Sequence, residues 1–310
     1  MLAPIILFVY NRKSHTAKTV EALKKNFFAK ESVLYVFCDG PKSDATDTQL
    51  ARVSEVQEFV QHISGFKEVH IERSDINKGL ANSVIDGVTK VIKQYGKAII
   101  VEDDIITTPH FLRFMNECLD VYADRHDIFM IGGFNYPFEM PKGYSEDIYV
   151  VHRSCTWGWA TWKDRWDLAD WNVNDYDLMC NNKNLRRRFN RGGRDMFPML
   201  EAQMEGKIDS WGIRWDYSMY KNDGLCVHPV NSLCINIGFD GSGVHCGISQ
   251  ESLNAELYKS NNYSLKLNWG IEIDKKLEKR FALFQAYGNR SVFVFYLRIA
   301  INKILSLLKY

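Results

Sequence analysis

No CxxC pair occurs anywhere in the chain. The seven cysteines, Cys38, Cys118, Cys155, Cys180, Cys226, Cys234 and Cys246, are scattered and odd in number. That pattern suits buried thiols in a reducing compartment and speaks against a zinc site or a disulfide framework. Charge of one sign is also missing: 39 Lys and Arg face 38 Asp and Glu, for a net +1. With no basic stripe interleaved with aromatics, nothing points to nucleic acid as a partner. No apolar run reaches the ~18 residues of a membrane span. The opening "MLAPIILFVYNRK" lacks a basic leader and its apolar run is short, so it reads as a first strand, not a signal peptide. There is no internal repeat and no low-complexity linker. What is present is apolar mass: 46% hydrophobic and 13% aromatic residues over 310 positions, enough for one large core or two modest ones.

The first half alternates between two periods. "PIILFVY" (4–10) and "VLYVFCDG" (33–40) are short continuous apolar runs, as expected of strands buried on both faces. "KEVHIERS" is a half-buried strand and "AIIVEDD" a fourth buried one. Between them, "TAKTVEALKKNFF" has helical spacing with Val20, Leu23 and Phe27 on one face, residues 46–62 read as a helix, and "GLANSVIDGVTKVIKQYG" is a helix closed by Gly96. Thr107 or Thr108 is expected to cap a further helix with Pro109 at its first position, running to about Asp124. Strands alternating with helices predict βαβ units, a mostly parallel Rossmann-like α/β sheet flanked by helices. Ligands of such sheets sit beyond the carboxyl ends of the strands. Those ends carry Asn11 and Arg12, Asp39 and Gly40, and Glu102, Asp103 and Asp104. After about Met130 the pattern changes to strands without long helices between them, five tryptophans from Trp157 to Trp171, and a basic stretch beginning "NLRRRF". A second subregion packed on the first is expected.

Three adjacent carboxylates at a strand end suit a hard divalent cation with oxygen ligands, Mn2+ or Mg2+, and such an ion keeps positions open for phosphate oxygens. Along a strand, Glu102 and Asp104 share one face and Asp103 takes the other. The same triplet also suits a solvated acidic turn ahead of a helix, whose N-terminus favours carboxylates.

Six segments then carry a resemblance: "PIILFVYNR", "VFCDG", "AIIVEDDIITTPHFLRFM", "TWGWATW", "RWDYSM" and "LCVHPVNSLCINIGFDGSGVH". In order and spacing they resemble the N-acetylglucosaminyltransferase I family, nucleotide-sugar glycosyltransferases of the GT-A fold, over residues 4–247. The start is also similar to family 2 glycosyltransferases. The resemblance implies a UDP-sugar donor, an inverting transfer, and Asp104 on Mn2+ bridging the donor diphosphate. Asp103 and Glu102 would contact ribose or sugar, Asp39 the uracil, and Arg12 the nucleotide pocket. Asp216, in "RWDYSM", would be the general base that takes the acceptor hydroxyl's proton, with Asp209 next in line. The glycine-rich "GFDGSGVHCG" would order over the diphosphate, with Ser242 and His245 as phosphate contacts. Where the family has a basic pair before this glycine, the chain has Asp240 and Gly241.

Simpler readings stand beside these. Arg12 suits a surface salt bridge, Asp39 a turn acid before Gly40 and Pro41, and Asp216 a partner of Arg214. Trp159 and Trp211 are the better placed tryptophans for stacking on an acceptor sugar, although large aromatics usually fill cores. "RRRF" and Arg191 to Arg194 suit an anionic acceptor or a solvated helix face. The tail "SVFVFYLRIAINKILSLLKY" is broken by Arg298, Asn302 and Lys303. It suits an amphipathic helix on a membrane surface or one docked on the protein.

The expectation is therefore a metal-dependent GT-A glycosyltransferase. Residues 1–130 would form its nucleotide-sugar-binding half, residues 131–250 its acceptor-binding and catalytic half, and residues 251–310 a C-terminal extension with an amphipathic helix. The acceptor would be a glycan or lipid-linked glycan, and the location cytoplasmic, peripheral to the inner face of the membrane where the tail binds it. Two alternatives remain at this point. A nucleotidyltransferase making nucleotide sugars would want a glycine-rich phosphate loop after the first strand, and "VYNRKSHTAK" has no glycine. A non-catalytic sugar-binding protein would use the tryptophans but leave the acids unexplained.

Overall fold

The computed structural model describes residues 1–241, 257–258 and 264–287. Its strands are β1 (Ile5–Val9), β2 (Val33–Cys38), β3 (Glu68–Arg73), β4 (Lys97–Glu102), β5 (Ile105–Thr107), β6 (Ile128–Gly132), β7 (Ile148–Val151), β8 (Trp159–Trp162), β9 (Leu225–Pro229) and β10 (Cys234–Asn236). Its α-helices are α1 (Lys13–Lys24), α2 (Asp47–Val60), α3 (Leu80–Tyr95), α4 (Phe111–Val121), α5 (Lys163–Trp166), α6 (Tyr176–Asn181), α7 (Lys183–Phe189), α8 (Met196–Met204), α9 (Trp211–Lys221) and α10 (Lys275–Tyr287).

Eight strands form one sheet in the order β3-β2-β1-β4-β8-β6-β9-β7, and β5 pairs with β10 beside it. The β1–β2, β1–β4, β2–β3 and β6–β9 pairings are parallel, while β4–β8, β6–β8 and β7–β9 are antiparallel. The α/β architecture expected from the alternating periods is therefore what forms. β1 shows why. Its residues are all buried, and alternation sends Ile5, Leu7 and Val9 into one core and Ile6 and Phe8 into the other. The first core is closed by α1, α2 and α4, the second by α3, α5 and α9.

Local signals set several element ends. Thr46 and Gln49 form a reciprocal capping box at the start of α2. Gly96 ends α3 with φ 78°, a left-handed conformation that costs glycine little. Other expectations fail. Phe27 falls beyond α1 and is 54% exposed. Thr107 lies in β5 and caps nothing, and the helix starts at Phe111, two residues after Pro109. The cause is non-local: β5 pairs with β10, as in Thr107 against Cys234. The tryptophan segment contains a strand, β8, that sits between β4 and β6.

Within the C-terminal extension, α10 docks on the protein through buried Leu277, Phe281 and Phe284, against Tyr136, Phe138 and Tyr149. The amphipathic segment expected from Ser291 onward lies outside the described residues. No described helix is long and apolar enough to cross a membrane.

Candidate active site

The carboxyl ends of β1, β2 and β4 face the same way because these strands are parallel. Arg12 follows β1, and Glu102, Asp103 and Asp104 end β4, so the register alone places the arginine above the acids. Arg12 Nη2 donates to Asp104 Oδ2 at 2.9 Å and also to Asp103 Oδ1, and its Nε reaches Asp103 Oδ2 at 3.3 Å. Among the described residues, Arg12 is the cation that pairs directly with Asp103 and Asp104. Asp104 is further held by Asn236 Nδ2, which donates to Oδ1 at 3.3 Å, and by the Ile237 N–H on its carbonyl at 2.9 Å. Thr19 Oγ1 donates to the Asp103 carbonyl at 2.8 Å. Asn236 lies in a segment the resemblance covered, but nothing in the sequence singled it out.

One guanidinium does not balance three carboxylates. Burial, then the charges of Asp104 and Asp103, pushes Glu102 up to about 8. Burial pushes Asp103 up to about 6 against the pull of Arg12. Burial also opposes the charge on Arg12, but the two aspartates outweigh it and raise its pKa. Among the described residues no group of three or more His, Cys, Asp or Glu side chains is placed to hold a metal. A magnesium-like ion needs no such group, since one or two carboxylates plus substrate phosphates suffice. The uncompensated negative charge around Asp104 fits that donor set.

Two features at the same spot fit an anionic oxygen. Arg12 Nη1 is buried and has no hydrogen-bond partner among the described residues. Gly238 lies over it: a Cβ there would sit 2.3 Å from Asp104 Oδ2 and 3.1 Å from Arg12 Nη1, so only glycine lets the backbone approach. Gly238 opens the glycine-rich segment, of which Ser242 and His245 lie outside the described residues. Asp240, standing where the resembling family has a basic residue, pairs with His15 Nε2 at 3.1 Å.

Asp39 ends β2 and is already engaged. It accepts from the backbone N–H groups of Gly40 (3.0 Å), Lys78 (2.8 Å) and Gly79 (3.1 Å) and from Asn77 Nδ2 (3.1 Å). Each oxygen takes two donors, which fills a carboxylate's usual acceptor sites. A uracil N–H would have to displace one of them. Asp39→Ala is therefore expected to cost about 2 kcal/mol of stability without any nucleotide, because it orphans the 77–79 turn. Urea unfolding checks this, and an unchanged midpoint would show the acid free for a ligand.

Asp216 sits on α9, whose Ser210 N-cap accepts from the Ile213 N–H. Trp211 and Trp215 face one core while Ile213 and Tyr217 face another cluster, which leaves Asp216 between them, 7% exposed. Its Oδ1 accepts from the Ser154 N–H at 2.7 Å. Burial pushes its carboxyl up to about 6, against the charge of Arg153 and the Ser154 hydrogen bond. Arg153 is itself fixed by a bidentate pair with Asp195, both bonds 2.8 Å. Arg214 pairs instead with Asp209, at 3.1 Å, and Asp209 is exposed. Arg153, Ser154 and Asp195 were not singled out by the sequence. The 152–158 loop that carries two of them leads into β8, whose first residue, Trp159, faces Ile100 of β4. The same loop thus borders Asp216 and enters the sheet beside the acidic strand.

Trp159 and Trp211 do not line this space. Trp159 is fully buried and Trp211 is 4% exposed. Their rings stack on each other at 5.0 Å, and Trp159 stacks on Trp166 at 5.8 Å. Neither has a free face for an acceptor sugar in this conformation, so core packing is the role the structure gives them.

No protein-family model matches the chain, and no curated protein matches it. Solved structures are similar to it only distantly. S. aureus TarS has a TM-score of 0.30 and 16% identity, covering 47% of this chain and 24% of that one. A shorter TarS structure has 0.40 and 11%, covering 76% and 59%. An active-site mutant of LgtC has 0.37 and 9%, covering 70% of each chain. The chain thus spans about a quarter and about three-fifths of the two TarS chains. Likenesses at these TM-scores carry no argument about activity.

Proposed function

We propose that this chain is a glycosyltransferase of the GT-A type, which moves a hexosyl or N-acetylhexosaminyl group from a UDP-sugar to a glycan or lipid-linked glycan with inversion. One observation carries the reading most: a buried carboxylate, Asp216, held by a backbone N–H and poised near neutrality, lies across a shared loop from an acid-rich strand end. A general base works best with a pKa near the working pH.

In this reading Asp216 takes the proton of the acceptor hydroxyl. The hydroxyl oxygen forms a bond to the sugar's anomeric carbon as the bond to the diphosphate breaks. Arg12 turns its orphaned N–H to a diphosphate oxygen. Asp104, with Asp103 beside it, would hold Mn2+ or Mg2+, which when bound supplies charge neutralisation for the diphosphate. Glu102 and Asp103 line the donor side. Ser242 and His245 remain the phosphate contacts proposed for the glycine-rich segment, and the tail from Ser291 is proposed as the membrane contact. The nucleotidyltransferase alternative lacks support, since α1 follows β1 after three residues and no glycine lies between them.

A donor screen tests the class. With Mn2+ present, UDP-sugars are expected to raise the melting temperature by several degrees, and GDP-, TDP- and CMP-sugars less. No shift with any nucleotide sugar would sink the proposal.

A further inference from the structure

The cationic surface on α7 is not used by any step above. Lys183, Arg186, Arg187 and Asn190 fall at three- and four-residue spacing, so they share one face of the helix and its end. Leu185 and Phe189 turn the other way, into the cluster with Ile213 and Tyr217. With Arg194, these four residues line a shallow, open depression of about 520 Å3 that has no acidic side chain in its lining. Lys183 and Arg187 are exposed and make no ion pair with any described residue. Arg186 is pre-ordered: its Nη1 donates to the Cys180 carbonyl, and its guanidinium lies 5.3 Å over the Phe197 ring. Other arginines nearby are spent on acids, Arg188 and Arg191 on Asp223. Charge is thus paired with acid on one side of α7, while on the other Lys183 and Arg187 border the concavity with no ion pair to a described residue.

The cavity also has a fixed connection to the candidate base. Arg194 adjoins Asp195, whose carboxylate locks Arg153, and the next residue, Ser154, donates its N–H to Asp216. We infer that the α7 groove binds the anionic groups of a polyanionic glycan, which is the acceptor of the transferase proposed above. The inference rests on that reading. A neutral acceptor would gain nothing from such a surface. A nucleic acid would want aromatic faces for its bases, and the Phe197 face is taken by Arg186. The chain's net charge of +1 means that this cation excess is local.

The test measures anisotropy of a fluorescein-labelled decameric oligogalacturonate with the full-length protein. Wild type is expected to bind it, weakening as salt rises because exposed charges are screened. The Lys183→Glu, Arg187→Glu double variant is expected to bind about tenfold or more weakly, since two attractions become repulsions. Both positions are exposed, and an unchanged melting temperature confirms the fold. Equal binding by variant and wild type would overturn the inference. So would equal binding of a neutral chito-oligosaccharide, or tighter binding of a ten-nucleotide DNA or of anionic phosphatidylglycerol vesicles. A separate UDP titration reads the transferase proposal alone, so its failure is distinguishable from failure of the groove.

Discussion

Asp216→Asn is expected to lower turnover by roughly 10²- to 10⁴-fold, the usual contribution of a positioned general base, while UDP-sugar affinity stays near wild type. The amide keeps an oxygen for the Ser154 N–H, so the geometry survives and the proton acceptor does not. Wild-type kcat/KM should rise with pH and level off above about 6, the value to which burial pushes this carboxyl. Near-native turnover in the variant, or a flat profile from pH 5 to 8, would move the base elsewhere, first to Asp209.

The same substitution makes a prediction about stability with the opposite sign. A folded-state pKa raised from 3.8 to about 6 means the fold disfavours the charged form by roughly 3 kcal/mol at about 1.4 kcal/mol per tenfold. Below the ordinary value both folded and unfolded states are protonated and nothing is lost. Between the two values the native state binds more protons, so stability falls as pH rises, and above about 6 the deficit is complete. Asp216→Asn removes it. The variant should melt at or above the wild-type temperature at pH 7.5, with the difference closing toward pH 4. A structural acid would show the reverse, because its loss would lower the melting temperature where activity is lost. Function and stability pull apart at such a residue.

How much of this was legible beforehand depends on the range of the interaction that decides it. β1, β2, β4 and α3 follow from periodicity because alternate faces of a strand meet different cores, as Leu7 and Phe8 do. Collecting the strand ends on one rim also brought Arg12 and the acids together, although 91 and 92 residues separate them. That Arg12 pairs directly with Asp103 and Asp104 depends on side-chain geometry, which the position of strand ends on a rim does not contain. Thr107 reads as a candidate helix cap in the sequence because the partner of β5, β10, is more than a hundred residues away. Trp159 and Trp211 suit either a core or a sugar contact from the sequence alone, because the stack that buries them forms between distant segments. Arg153 gave no local signal at all. Its importance comes from Asp195 and Asp216, which a linear reading does not place beside it.

Asp104→Ala is expected to weaken Mn2+-dependent UDP binding by about a hundredfold or more, a loss near 2.7 kcal/mol. Asp104 Oδ2 accepts from Arg12 and Oδ1 from Asn236, so a divalent ion bound there would compete with an internal cation for the same oxygens. Arg12→Met should therefore act in the opposite direction on metal alone: freed of its guanidinium, the acid pair should bind Mn2+ more tightly in the absence of nucleotide. UDP affinity should nevertheless fall, because the orphaned N–H that is proposed to meet the diphosphate is gone. Calorimetric titrations of Mn2+ and of UDP into the three proteins separate these effects. If Asp104→Ala binds UDP as wild type does, with and without metal, the cation assignment fails and Arg12 remains the cation paired with Asp103 among the described residues. If Arg12→Met loses both metal and nucleotide, the arginine serves to hold the carboxylates in place. A competitive site requires the split: metal affinity up and nucleotide affinity down from one substitution.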